Sequence, residues 1–89
     1  MSLAIEESLN RFSTRVDGVD AFLDVERTEG TLVITHTGVP ASIGGRGVAA
    51  ELVGAAFEAA RRDGLKVSPV CSYAAVWLQK HPEYADLLR

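Results

Sequence analysis

The chain has 89 residues, 47% hydrophobic and 24% charged, with a formal net charge of −3. That length allows one domain with one modest core, and the composition is ordinary for a soluble globular protein. The nine basic residues are scattered, with no run longer than Arg61-Arg62, so neither nucleic acid nor an acidic membrane is expected as the main partner.

A single cysteine, Cys71, excludes an internal disulfide framework, and two histidines far from it give no metal-ligand spacing. No apolar stretch approaches the roughly 20 residues that span a bilayer. The start, Met-Ser-Leu-Ala-Ile-Glu-Glu, is acidic and has no signal-peptide core. A cytoplasmic domain without membrane contact is expected.

Residues 1–10 carry little pattern and read as a flexible N-terminal arm, leaving residues 11–89 as a single domain. From Arg11 to Val16 the residues are β formers, with Phe12, Thr14 and Val16 on one side, and Asp17-Gly18 then punctuates. Ala21, Leu23 and Val25 alternate with Asp24 and Glu26, the period of a half-buried strand that Phe22 interrupts. Glu29-Gly30 is a hairpin connector into Thr31–Thr37, whose apolar centre predicts a strand covered on both faces. Pro40 has no N–H for a ladder, so the meander stops there.

A helix is expected from about Gly47 to Asp63. Val48, Leu52, Ala56 and Ala59 form its inner face, Glu58 reaches Arg62 one turn on, and Gly64 caps the end. Leu65–Ser68 reads as a short strand, parallel to Thr31–Thr37 because a helical crossover joins them. A second helix puts Val76, Trp77 and Leu78 on its apolar side and ends at His81-Pro82, with His81 capping a last turn. The fold class is α/β (α+β): β-β-β-α-β-α, a mixed sheet of about four strands with helices packed on it.

Gly44-Gly45-Arg46-Gly47-Val48-Ala49 lies where this sheet hands over to the long helix. Glycines let backbone turn sharply and approach a ligand. The first turn of a helix adds unpaired N–H groups and partial positive charge, so the combination suits a phosphate. Gly-rich turns before helices also occur as plain connections, so this feature alone does not decide function.

Four pieces occur in register: His36-Thr37-Gly38-Val39-Pro40, Gly45-Arg46-Gly47-Val48-Ala49, Pro69-Val70-Cys71-Ser72-Tyr73 and His81-Pro82-Glu83-Tyr84. In that order the chain resembles the small YjdJ-like branch of the GNAT superfamily of acyl-CoA-dependent N-acetyltransferases. The resemblance covers about residues 11–88. It implies a minimal GNAT-like fold and an N-acetyltransferase using acetyl-CoA or CoA as cosubstrate, with an unidentified amine as acceptor.

Carried over residue by residue, Gly47 and Ala49 fill the small-residue positions of the family's pyrophosphate loop. Gly45, Arg46 and Val48 supply the intervening amides, and Gly44 stands where the family has Arg or Gln. The loss of that side chain is a departure, for which Arg46 is the neighbouring substitute. The resemblance also implies that pantetheine pairs with backbone from Thr37 through Gly38 to Val39, in a gap between the two parallel strands. Ser72 and Tyr73 then flank the cosubstrate. A full GNAT domain carries more structure around this core, so the acceptor site is either open or completed by a second subunit. The exposed edges of a small sheet leave a homodimer open.

Cys71 falls in the first turn of the second helix, where dipole and amides favour a thiolate. The resemblance places it near the acetyl thioester, as acceptor of the acetyl group or as its positioner; otherwise it is a small buried hydrophobe. His36, read on the same side as Leu32 and Ile34, is a candidate base with near-neutral pKa, or a core histidine bonded to backbone. Trp77 stands nearest the position of the family's acid tyrosine, and indole cannot supply that proton. Three readings therefore stand: acetyl transfer to an amine, directly or through S-acetyl-Cys71; a CoA-binding interaction module with little turnover; or a CoA-free structural domain.

Overall fold

In a computed structural model describing residues 3–89, five strands and two helices form two layers. The strands are β1 (Glu6–Glu7), β2 (Arg11–Val16), β3 (Val19–Thr28), β4 (Thr31–Gly38) and β5 (Lys66–Pro69). The helices are α1 (Val48–Asp63) and α2 (Ser72–Gln79), and short 3₁₀ turns span Ala41–Ile43 and Pro82–Leu87. The sheet order is β1-β2-β3-β4-β5, antiparallel up to β4 and parallel between β4 and β5. The β-β-β-α-β-α order expected from the sequence is present.

The fifth strand, β1, lies within the stretch expected to be a loose arm. Its two residues pair with Ser13 and Phe12, and Thr14 Oγ1 donates to the Ala4 carbonyl at 2.8 Å. Glu7 accepts from Arg62 at 2.8 Å and from Arg27 at 3.1 Å, which ties the segment to α1 and β3. The Arg62 guanidinium beside it holds the Glu7 carboxyl below the usual carboxylate range. This contribution therefore stands at neutral pH and fades as pH falls through that range. Met1 and Ser2 of the expected arm lie outside the described residues.

Alternation sets the core. Phe12, Ala21, Leu23, Val25, Leu32, Ile34 and Val67 are buried on one face of the sheet, beneath α1. That helix buries Val48, Leu52, Val53, Ala56, Phe57, Ala59 and Ala60, and its alanines permit close approach to the strands. The opposite face carries Arg11, Ser13, Asp24, Glu26 and His36, each at least partly exposed. Strand β4 is thus covered on one face, not on both as its apolar centre suggested: Val33 is only half-buried while Leu32 and Ile34 are fully so. Phe22 lies on this outer face, where its ring covers Gly38 of the neighbouring strand and the Arg11 guanidinium sits 4.1 Å above it.

One irregularity changes the phase of β4. Asp24 pairs with His36 and Val25 with Ile34, so Thr35 is an extra residue, a bulge. Its hydroxyl closes the bulge by donating to the Asp24 carbonyl at 3.1 Å. Beyond it the faces exchange: His36 pairs with outward Asp24, and Thr37 with fully buried Leu23.

The second helix lies on the same layer as α1, held by aromatic contacts. Trp77 stacks on Phe57 at 4.9 Å and on His81 at 3.9 Å, and Tyr84 packs at the edge of Phe57 at 5.8 Å. Three local expectations change here. Ala74, not Val76, joins Trp77 and Leu78 inside. His81 makes no side-chain cap; its ring is used against Trp77. Glu58 takes the Tyr84 hydroxyl, while Arg62 turns to Glu7 and Asp63. Among the described residues, no buried side-chain nitrogen or oxygen lacks a hydrogen-bond partner, and no helix is long and apolar enough to cross a membrane.

Phe57 is fully buried at the junction of α1, α2 and the last turn. Phe57→Ala is expected to lower unfolding stability by about 3–5 kcal/mol. Urea unfolding followed by Trp77 fluorescence measures this.

Candidate active site

The site forms where the parallel pair stops pairing. The register between β4 and β5 runs from Thr31↔Lys66 to Ile34↔Pro69 and ends there. The next link is the Cys71 amide, which donates to the Ile34 carbonyl at 2.9 Å. After it the chain turns into α2, while β4 continues to Gly38 against β3 only. From Thr35 onward β4 therefore has an edge with no β5 partner, at which an extended ligand can pair as a strand would.

At the end of β4 the chain passes through Val39-Pro40 and the 3₁₀ turn into the glycine loop. Gly44 is extended, with φ −67°, and its N–H is spent on the Ala41 carbonyl at 3.1 Å. It therefore has no free amide to offer a phosphate in this conformation. Gly45 and Gly47 both take left-handed conformations, with φ of 78° and 79°, and no β-carbon could be added there without backbone strain. Gly47 is also the N-terminal boundary of α1. The first bond into the helix runs from Glu51 N–H to the Gly47 carbonyl, so the amides of Val48, Ala49 and Ala50 have no intrahelical acceptor. Gly45, Arg46, Gly47, Val48 and Ala49 thus form the part of the loop whose amides are not spent on the 3₁₀ turn.

Arg46, the neighbouring substitute for the missing side chain, already has a partner. Its guanidinium is engaged by Asp17, in the β2–β3 turn, where Asp17 itself has a positive φ of 51°. The pair fastens the glycine loop to the meander. Both partners are substantially exposed, so it is a weak tie that an incoming phosphate could compete for.

Cys71 is the N-terminal boundary of α2, with its sulfur 3.8 Å from Thr37 Oγ1. Its side chain makes no capping hydrogen bond. Burial pushes this thiol up. The Ala74 amide, the Thr37 hydroxyl and the amides of Tyr73 and Thr37 together outweigh that effect and hold it below the usual thiol value. Ser72 and Tyr73 are exposed on the first turn beside it, Tyr73 at 41%. Val70 at 67% exposure and Val76 at 49% are further exposed apolar residues near it in sequence.

His36 does not meet Cys71. The bulge at Thr35 turns it onto the outer face, opposite Asp24 and 5.9 Å from the Phe22 ring, instead of onto the side of Leu32 and Ile34. This candidate base therefore lies on the sheet face opposite the thiol. Thr37 stands beside the thiol instead. The resemblance assigns Thr37 only through its backbone, and unbroken alternation in β4 hides the place of its side chain. Trp77 is 7% exposed and stacked, a core residue.

A sheet open between two parallel strands, with a glycine loop and helix N-terminus at its mouth, is an arrangement suited to an extended anionic ligand. Residues 11–87 match the family described as GCN5-related N-acetyl-transferase, and the chain belongs to that family. Among solved structures it is similar to a GCN5-like protein from Staphylococcus aureus whose N-acetyltransferase assignment is itself provisional. The two share 32% identity and a TM-score of 0.77, over 98% of this chain and 88% of the other. No sequence among the curated proteins matches.

Alkylation of Cys71 by iodoacetamide should rise with pH along a single titration whose midpoint lies below that of an unstructured cysteine peptide. A midpoint at or above the peptide's would show that burial wins over the amides and the Thr37 hydroxyl.

Proposed function

We propose that this protein is an acetyl-CoA-dependent N-acetyltransferase of the small YjdJ-like branch, acting in the cytoplasm on an amine. The observation that carries the reading is the Cys71 sulfur beside Thr37, at the point where β4 and β5 part. Pyrophosphate is held by the amides of Gly45 to Ala49 at the start of α1, where the dipole favours negative charge. Pantetheine runs along Thr37, Gly38 and Val39 as a further strand beside β4. This brings the thioester to Cys71, with Ser72 and Tyr73 flanking it.

The chemistry follows from the thiol. The Cys71 thiolate attacks the thioester carbonyl, a new sulfur–carbon bond forms, and CoA leaves as its thiolate. The acceptor amine then attacks S-acetyl-Cys71, the cysteine thiolate leaves, and the amine loses its proton to solvent. Direct attack by the amine on acetyl-CoA beside Cys71 is the shorter form of the same transfer.

A second reading, a CoA-binding module with little turnover, draws on two specific features. Arg46 is held by Asp17, and Trp77 is buried where the family's acid tyrosine would stand.

The test is calorimetric titration with acetyl-CoA, followed by intact-mass analysis of acid-quenched protein. Saturable binding, a mass gain of one acetyl group and its loss in Cys71→Ala are expected. Binding without acetyl-Cys71 and without transfer to any amine would favour the module. No binding to acetyl-CoA or CoA would overturn both readings.

A further inference from the structure

We propose that Thr37 is the positioning residue for Cys71: its hydroxyl holds the ionised sulfur at the mouth of the gap. The inference rests on Cys71 taking part in transfer, as proposed above, yet it is tested through the thiol alone.

Three structural facts converge on this pair. The Thr37 hydroxyl and the Cys71 sulfur are 3.8 Å apart, within hydrogen-bonding distance for sulfur. Both ends are fixed: the Cys71 amide is bonded to the Ile34 carbonyl, and Thr37 is paired in β4 opposite fully buried Leu23. The face that Thr37 occupies is also set by the bulge. Without the extra residue at Thr35, continued alternation from Leu32 and Ile34 would bring His36 to this side and turn Thr37 away.

The bond has a direction that depends on charge. A neutral thiol and a hydroxyl can each donate to the other, so little is lost if one rotates. A thiolate only accepts, and the hydroxyl must then donate to it, in a charge-assisted bond stronger than the neutral one. Thr37 thus discriminates between the two protonation states and favours the nucleophilic one. The other influences on the sulfur are burial and the amides of Ala74, Tyr73 and Thr37; Asp24 and His36 belong to the opposite face of the sheet. A hydroxyl suits this position because it stabilises the thiolate without protonating it.

The test compares the pH profile of iodoacetamide alkylation at Cys71 in the parent protein, Thr37→Val and Thr37→Ser. Valine keeps the shape and removes the donor. Its midpoint is expected to rise by about one pH unit. At neutral pH alkylation slows only about threefold, because the scarcer thiolate is also the more reactive one. Serine keeps the donor and is expected to restore the parent profile. If valine unfolds the protein, as urea titration would show, Thr37→Ala carries the same expectation of a raised midpoint. Profiles of the donor-less variants superimposed on the parent's would overturn the proposal. Failure of the acetyl-carrier reading is distinguishable: the parent would show no S-acetyl group while the Thr37 shift persisted.

Discussion

One extra residue in a strand organises this molecule. The bulge at Thr35 breaks the period of two in β4, and the Thr35 hydroxyl fixes the break by bonding to Asp24. Just beside it, pairing between β4 and β5 ends at Ile34↔Pro69, and the Cys71 amide makes the last link to Ile34. The strand can then keep a regular antiparallel partner on one side while its other edge has no β5 partner. Regular alternation would have presented an imidazole to the thiol; the bulge presents a hydroxyl.

The packing around this point supports it from one side only. Helix α1 covers the inner face with small residues, and Phe57 and Trp77 wedge α2 against it, so the N-terminus of α2 is carried by a rigid aromatic cluster. That matters for Cys71, whose sulfur depends on amides and a hydroxyl arriving from two different elements. A displacement of the helix by a fraction of an ångström would weaken several of those contacts together, because hydrogen bonds to an ion are sensitive to geometry. The glycine loop is fastened more loosely, by a short 3₁₀ turn and the exposed Arg46–Asp17 pair. A rigid thiol and an adjustable glycine loop suit the proposed binding and release of a large anionic cosubstrate.

Much of this was readable from residue order. Period-two stretches, a hairpin connector at Glu29-Gly30, a helical stripe closed by Gly64 and a crossover strand fix the topology, since each signal is local and each agrees with the next. The glycine loop and the place of Cys71 at a helix start were readable for the same reason. What was hidden depends on distance in sequence. Strand β1 has two residues, and its tether from Glu7 to Arg62 crosses 55 positions. Arg46 finds Asp17 and Tyr84 finds Glu58 only after folding. The bulge escaped because threonine is as suited to a regular strand as to a bulge, and an error of one residue there reverses the faces of His36 and Thr37. The use of the Gly44 amide was hidden for another reason: it is consumed by a turn that glycine content does not reveal.

The central claim is that acetyl-CoA enters along the free edge of β4 and is cradled at the start of α1. Amide chemical-shift mapping of labelled protein during titration with acetyl-CoA tests it most directly. The account predicts that the largest shifts fall on residues 37–39, on Gly45 to Ala49 and on Cys71 to Tyr73, with Asp24 and Glu26 on the outer face little changed. Shifts confined to the outer face, or spread evenly without saturation, would contradict it.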